Sequence, residues 1–435
     1  MKAVFMAGGM GTRISSVASD IPKPMIRIGG KPVLEHEIEC LRSQGFTDII
    51  ITVSHMAEQI TNYFKDGSDF GVSIEYFVER QPLGNAGALL KLRDRLTEDF
   101  LLLNADVLFN IDFERFIHYH KSKNALVTLF THPNSHPYDS GIVISDSEGY
   151  VTSWLTKEEP HPQWYSNRIN AGLHIINPEV IDLCGIDSET VGKEVNEKAI
   201  RVDLDRNILK PLCGSRKMVC YDSPEYVRDM GTPDRFEAVC RDLAGGIVQA
   251  KSLKEKQRAV FLDRDGTVNR YVGFLNDIDR FELLPGAAEA IRRINSSGYL
   301  AIVVTNQPVI ARGELSFGEL EEMHCKMETL LGREGAYLDG IYYCPHHPDS
   351  GFDGEVPELK IKCSCRKPEP GMLLAAAERF NIDLSSSWMV GDGRHDIGAG
   401  KAAGCMTALI GTEDMGQDLT VTSLLGFTEK ALPDI

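Results

Sequence analysis

Lys2-Ala3-Val4-Phe5-Met6-Ala7-Gly8-Gly9-Met10-Gly11-Thr12-Arg13 is a short apolar run that opens into a glycine loop. The same plan returns at Arg258-Ala259-Val260-Phe261-Leu262-Asp263-Arg264-Asp265-Gly266-Thr267, where the run ends in two carboxylates instead. Glycines directly after a strand let the backbone turn sharply and offer its N–H groups to a phosphate or a base. Asp263 and Asp265 stand two residues apart, so an extended chain puts both on one face. Each signal alone is ambiguous, since glycine turns and Asp-x-Asp turn caps are common. Together they point to two phosphate-handling sites in one chain.

Working outward, the first 240 residues alternate strand-like and helix-like stretches. Asp48 to Val53, Val72 to Val78 and Phe100 to Leu103 read as buried strands, with helical spacing at Val33 to Ser43 and Gly87 to Leu96. The pattern restarts between Arg258 and about Gly411. Strands are expected at 259–262, 299–305, 340–343, 388–390 and 407–410, and helices at 286–295, 317–331, 371–380 and 396–403. This alternation predicts an α/β chain of two Rossmann-like domains in tandem, with ligands at the carboxyl ends of strands. Asp242 to Gln257 holds a glycine pair and a charged run, so the expected division is 1–240, a linker at 241–257, and 258–435.

At 435 residues the chain can bury more than one core. Its net charge of −17 excludes a general nucleic-acid binder, which needs clustered Lys and Arg. No apolar run is long enough to span a bilayer and residues 1–20 lack a signal-peptide core, so a cytoplasmic enzyme without a membrane partner is expected. Ten Cys residues without such a signal favour a reducing compartment.

Gly8-Gly9-Met10-Gly11-Thr12-Arg13 followed by Ile21-Pro22-Lys23-Pro24-Met25 resembles the sugar-1-phosphate nucleotidyltransferase family over roughly residues 1–240. The resemblance continues at Gln81-Pro82-Leu83-Gly84, Leu103-Asn104-Ala105-Asp106, Gly141, Asn170-Ala171-Gly172 and Val227-Arg228-Asp229-Met230-Gly231-Thr232-Pro233. It implies a nucleotide held by Ala7, Gly8, Gly9, Gly11, Thr12, Arg13, Lys23, Gln81, Gly84 and Asp106. It implies magnesium on Asp106 and Asp229, and a sugar phosphate met by Gly141, Lys157 and Asn170. In the reaction implied, a sugar 1-phosphate oxygen attacks the α-phosphorus of a nucleoside triphosphate and pyrophosphate leaves. Rate then comes from alignment and charge neutralisation, the task of Arg13 and Lys23. One departure stands out: Glu159 occupies the position where the family carries its sugar-phosphate lysine. Lys157 from a shifted register, or Arg168, is the replacement.

The second block has further strand-end polar groups at Thr305-Asn306, Arg366-Lys367-Pro368, Gly391-Asp392 and Asp396. Their order resembles the haloacid dehalogenase-like phosphatases across about 258–411. By that resemblance Asp263 is the nucleophile, and Asp265 protonates the leaving hydroxyl and then activates water. Thr305 and Lys367 bind the phosphoryl group, with Asn306, Gln307 and Arg366 on the substrate. Magnesium is implied at Asp263, Asp265 (through its carbonyl) and Asp392. Cys344-Pro345-His346 and Cys363-Ser364-Cys365 present three thiols and an imidazole, the donor set of a closed structural zinc site at Cys344, His346, Cys363 and Cys365. His347 is the rival imidazole, and buried free thiols are the bland alternative. Such a site staples the loop 344–365.

The zinc pattern, with Ile310-Ala311-Arg312-Gly313 and Tyr342-Tyr343-Cys344-Pro345-His346-His347-Pro348, resembles the heptose-1,7-bisphosphate 7-phosphatase branch, beside the histidinol-phosphate phosphatases. Pro308-Val309 departs from that branch. The expected fold is therefore a mixed nucleotidyltransferase sheet followed by a haloacid dehalogenase-like parallel sheet with a zinc loop. The expected function is 7-dephosphorylation of a heptose bisphosphate, then nucleotidyl transfer, with GTP as the implied donor and GDP-heptose as the product. Partners are small sugar phosphates and a nucleotide, and an oligomer is open. Two other readings stand beside it: the same activities on another sugar such as mannose phosphates, or one half catalytically silent.

Overall fold

The computed structural model describes residues 1–8, 20–195 and 198–432. The chain divides into two compact units. The first comprises Met1–Thr131, Val143–Trp154 and Asn170–Ser252; the second comprises His132–Ile142, Leu155–Ile169 and Leu253–Ile435.

The strands of the first unit used below are β1 (Ala3–Met6), β2 (Asp48–Val53), β3 (Ser73–Val78), β4 (Phe100–Asn104), β5 (Val107–Asn110), β6 (Val127–His132), β7 (Ile169–Ile176), β8 (Met218–Asp222) and β9 (Tyr226–Asp229). Seven of them form one sheet in the order β8-β6-β7-β4-β1-β2-β3. β1 runs parallel to both β2 and β4, whereas β7 is antiparallel to β4, so the sheet is mixed. Successive residues of β1 serve opposite cores: Ala3 and Phe5 pack with Leu101, Leu103 and Ile49, while Val4 packs with Ile50 and Leu102. That is why these strands read as continuous apolar runs rather than alternating ones. Helix α1 (Val33–Ser43) lays Leu34, Ile38 and Leu41 onto the first of these cores. The helix expected over 87–96 ends at Leu92 and gives way to a tight 3₁₀ turn, Arg93–Arg95. There the Arg93 side chain reaches Asp182 and the Leu96 carbonyl. Outside the large sheet, β5 pairs with β9 antiparallel, Val107 facing Asp229.

The second unit carries β10 (Arg258–Leu262), β11 (Tyr299–Asn306), β12 (Gly340–Cys344), β13 (Trp388–Gly391), β14 (Met406–Ile410) and β15 (Leu419–Val421). All are parallel, in the order β12-β11-β10-β13-β14-β15. The three central neighbours are β11, β10 and β13, so Thr305, Asp263 and Asp392 emerge at adjacent carboxyl ends. Helix α2 (Phe317–Arg333) starts with a capping box in which Ser316 and Glu319 satisfy each other's backbone N–H groups. Helix α3 (Arg394–Ala403) follows β13 directly. Among the described residues no helix is long and apolar enough to cross a membrane.

Candidate active sites and metal centre

At the centre of the second unit, Lys367 Nζ lies 2.7 Å from Asp263 Oδ1 and 2.5 Å from Asp396 Oδ1. Lys367 and Asp396 are almost fully buried, with side-chain exposures of 3% and 4%. Asp396 also accepts the Gly393 N–H at 3.0 Å, which ties the start of α3 to the lysine. Carboxylate oxygens of Asp263, Asp392 and Asp396 lie within 4.8 Å of one another. Gly266 is required here: a side chain at its positive φ of 89° would place Cβ 1.9 Å from Asp392 Oδ2.

Burial pushes the Asp263 carboxyl up to about 7; Lys367 opposes this while Asp396 and Asp265 add to it. Burial, then Asp396, pushes Asp392 up to about 6. Burial would lower Lys367, yet its two carboxylates hold it above the ordinary lysine range. Three carboxylates (263, 392, 396) face one buried cation, Lys367, leaving two negative charges in an all-oxygen cluster. That donor set suits a hard divalent ion such as magnesium.

The Asp265 side chain turns away from this cluster. It accepts from Arg264 Nη2 at 2.9 Å, Gln307 Nε2 at 2.9 Å and Asn269 Nδ2 at 2.9 Å. Burial acts to raise it, but Arg264 and these amides hold it below the usual carboxylate range. Gln307 also donates to Thr305 Oγ1 at 2.8 Å and accepts from Arg264 at 2.9 Å. Asn306 spends its amide on the Lys367 backbone, donating to the carbonyl and accepting from the N–H at 3.0 Å each. It thus sets the course of Lys367, a task that the expectation of a substrate contact did not include. Arg366 donates to the His346 carbonyl at 3.1 Å.

Cys344, His346, Cys363 and Cys365 converge. Their Sγ atoms stand 3.2–3.5 Å apart, and His346 Nδ1 lies 3.3 Å from Cys365 Sγ. Four ligands at about 2.0–2.3 Å around tetrahedral zinc require donor separations of about 3.5–3.8 Å, so the cluster fits zinc after a few tenths of an ångström of expansion. His347 is turned to Asp349 instead. Gln307 N donates to the Cys344 carbonyl at 2.8 Å, which ties this loop to the strand carrying Thr305.

In the first unit, Gly9, Gly11, Thr12 and Arg13 lie outside the described residues, while Ala7 and Gly8 follow β1. Lys23 Nζ meets Asp106 Oδ2 at 2.8 Å. Asp106 precedes β5 and Asp229 ends β9, where its backbone pairs with Val107. Arg235 holds both oxygens of Asp229 at 2.9 Å. The fully buried Glu37 accepts the Val107 N–H at 3.2 Å, and burial pushes it well above the usual range. Gly84, at φ +89°, comes so close to Val202 that a Cβ would meet its carbonyl oxygen at 2.3 Å. Gln81 lies across Gly192. On β7, Asn170 Oδ1 accepts from the Gly172 N–H at 3.2 Å and lies 3.0 Å from His174 Nε2.

Glu159 caps its own turn, accepting the Thr156 N–H at 2.7 Å, and Lys157 is exposed. Arg168 is paired with Glu328 at 2.9 Å. Gly141, Lys157 and Arg168 belong to segments of the second unit, Asn170 to the first.

The nucleotidyl transferase family model matches residues 2–245, more than half the chain, and the HAD-hydrolase-like model matches residues 364–423. D-glycero-beta-D-manno-heptose-1,7-bisphosphate 7-phosphatase of Salmonella typhi is 43% identical over 152 residues, 35% of this chain and 79% of that protein. The chain belongs to the nucleotidyl transferase family and, through this second match, to the heptose-1,7-bisphosphate 7-phosphatase family. D-glycero-alpha-D-manno-heptose-1,7-bisphosphate 7-phosphatase of Burkholderia mallei is 43% identical over 155 residues, 36% of this chain and 80% of that protein. Among solved structures, HddC of Yersinia pseudotuberculosis is 24% identical with a TM-score of 0.47, covering 56% of this chain and 99% of that one. The chain is an enzyme with a nucleotidyltransferase and a phosphatase activity, and its α/β fold is the one expected of these two families.

In this nucleotidyltransferase and phosphatase, the sequence reading named Asp396 as one more acid after β13 but not its pairing with Lys367, and it missed Glu79. Glu79, just past β3, has a carboxylate beside the glycine loop: Oε1 would lie 2.8 Å from a Cβ on Gly8. Burial pushes it up to about 7, and the Leu83 N–H partly offsets this.

Proposed function

We propose that this enzyme removes the 7-phosphate of D-glycero-D-manno-heptose 1,7-bisphosphate and then joins the resulting heptose 1-phosphate to GMP from GTP. The observation that carries the first step is the buried Asp263–Lys367–Asp396 triad beside Asp392, in a chain of which 152 residues are 43% identical to a heptose-bisphosphate phosphatase. Asp263 attacks the phosphorus and forms an aspartyl-phosphate, held in line by Lys367 and Thr305. Asp265, ionised in the resting site, takes up a proton before giving it to the departing sugar oxygen, and regains one from the water that cleaves the intermediate. Asp263, Asp392, Asp396 and the Asp265 carbonyl would hold a magnesium ion, which would supply charge neutralisation between the anionic nucleophile and the phosphate. Cys344, His346, Cys363 and Cys365 would hold a structural zinc ion that fixes the adjoining loop.

For the second step, Lys23 and Arg13 neutralise the triphosphate. Asp106 and Asp229 are the carboxylates suited to a magnesium ion. Lys157 and Asn170 meet the sugar phosphate, and Gly141 allows its close approach. Glu79 supports the guanine assignment. A carboxylate offers two coplanar acceptors, which match the adjacent N1–H and N2–H donors of guanine and no edge of uracil or thymine. The α anomer rests on the resemblance of the first half to GDP-heptose enzymes, since the phosphatase half matches enzymes of both anomers, 46% identical to a β-anomer phosphatase and 43% to an α-anomer one.

The test is incubation with heptose 1,7-bisphosphate and each nucleoside triphosphate in turn, with mass analysis of the products. GDP-heptose, phosphate and pyrophosphate are expected from GTP. Preference for another bisphosphate refutes the sugar assignment, and preference for another triphosphate refutes the base.

A further inference from the structure

Ile310-Ala311-Arg312-Gly313 takes no part in the chemistry above, yet its arginine is where three loops of the second unit meet. β10, β11 and β12 are parallel neighbours, so the loops that follow them leave one edge of the sheet, the edge that carries Asp263 and Thr305. Phe274 lies in the loop after β10, Arg312 in the loop after β11, and Phe352 in the 344–365 loop after β12. The Arg312 guanidinium lies against both rings, its carbon 4.0 Å from the Phe274 centroid and 4.1 Å from that of Phe352. Backbone contacts fix this meeting. Arg312 N donates to the Pro308 carbonyl and Val356 N to the Ala311 carbonyl, each at 3.0 Å. Gly313, at φ +70°, comes so close to Gly354 that a Cβ would lie 1.8 Å from its carbonyl oxygen.

Rings stacked on a guanidinium engage its flat faces and leave its N–H edge for acceptors. On that edge Nε donates to Glu314 Oε1 at 2.6 Å, and among the described residues neither Nη group has a hydrogen-bond partner. The side chain is only 16% exposed, so a permanent charge has largely left water with most of its donors idle. The neighbouring cations are differently engaged: Arg366 donates to the His346 carbonyl, and Arg270 is exposed beside Glu282. An oriented fork with two idle amino groups matches the oxygens of a phosphate. The substrate assigned above carries two phosphates, and the one on carbon 1 is not transferred. We propose that Arg312 binds this second phosphate, with Phe274 and Phe352 holding its fork in place and Glu314 orienting it from the Nε side. Arg312 thereby makes the phosphatase select a sugar bisphosphate over a monophosphate. This rests on the reading that a heptose bisphosphate is the substrate, and it assigns that selection to one side chain.

The test measures steady-state hydrolysis of heptose 1,7-bisphosphate and of heptose 7-phosphate by the full chain, and reads the ratio of the two kcat/KM values. The wild type should prefer the bisphosphate, and Arg312→Gln should cut the ratio about 10–100-fold, the worth of charge-assisted bonds to a phosphate. The loss should appear mainly in KM, because the second phosphate is held alike before and during transfer. Arg312→Lys keeps the charge without the fork and should give an intermediate ratio; it also carries the test if Arg312→Gln does not fold. An equal fall for both substrates in both variants marks a loop clamp and overturns the proposal. So does an unchanged ratio, or a wild type that treats the two substrates alike. The sugar reading fails separately: if the wild type prefers the bisphosphate of another sugar, the heptose assignment falls, and the ratio measured on that sugar still decides the role of Arg312.

Discussion

Replacing Asp396 with Asn and Asp263 with Asn should separate stability from catalysis in the phosphatase. Both carboxylates hold the same buried ammonium, Lys367, at 2.5 and 2.7 Å. Breaking a buried ion pair costs about 3–5 kcal/mol when the remaining charge is left alone. In Asp396→Asn the lysine keeps Asp263, so the expected loss is smaller, about 2–4 kcal/mol. Asp263→Asn is different, because burial already disfavours its charge and pushes the carboxyl up to about 7. Neutralising it relieves that desolvation while Lys367 keeps Asp396, so stability should be nearly unchanged or should rise. Catalysis orders the other way. Asp263→Asn removes the nucleophile and should abolish phosphate release, whereas Asp396→Asn leaves it and should lower kcat by about 10²–10³ through a loosened lysine. The assay pairs metal-free denaturant unfolding with phosphate release, and nucleotidyl transfer from supplied sugar 1-phosphate should persist in Asp263→Asn. If Asp263→Asn destabilises the protein more than Asp396→Asn does, the triad is not the electrostatic keystone argued from these distances.

Three further outcomes are expected. The purified protein should carry one zinc per chain by elemental analysis, and Cys363→Ser should lose it and expose the 347–362 segment to protease; full metal content in that variant would remove Cys363 from the site. Glu79→Gln should lower kcat/KM with GTP by about 10–150-fold, because hydrogen bonds to a charged acceptor are worth about 1.5–3 kcal/mol, and should leave hydrolysis untouched; an equal effect on every triphosphate would deny it a role in reading the base. His174 is fully buried and its desolvated imidazole is held down at about 4, against 6.5 ordinarily. A folded value below the unfolded one means its contribution is complete above pH 6.5 and fades as pH falls toward 4. At pH 5 it costs about 2 kcal/mol. The destabilisation caused by His174→Gln should therefore shrink by about that much between pH 7.5 and 5, and a constant difference would contradict a neutral buried imidazole.

Much of the phosphatase was legible because its chemistry is local in sequence. Each apolar run that became β10, β11 or β13 is followed at once by its polar residue, so Asp263, Thr305 and Asp392 could be named before their neighbours were known. The cysteine pairs read the same way, each a short motif at a loop end, and the structure chose His346 over His347. The nucleotidyltransferase was less legible past β4. β5, β6, β7, β8 and β9 were not anticipated, and β9, which ends at Asp229, pairs with β5. The Glu159 departure is explained only by its turn, where its carboxylate answers the Thr156 N–H.

The sequence by itself determined that two phosphate chemistries share this chain, and which strand ends supply them, because a parallel strand buried on both faces announces itself as an apolar run. Only the tertiary structure decided which charges meet across long separations: Lys367 with Asp263, Lys23 with Asp106, and Arg168 with Glu328, 160 residues apart. Those encounters depend on strand order and on which segments pack into which unit. No local pattern records them, because the packing of the apolar cores, not the charges themselves, decides which partners meet, and burying those charges costs desolvation that only their pairing offsets.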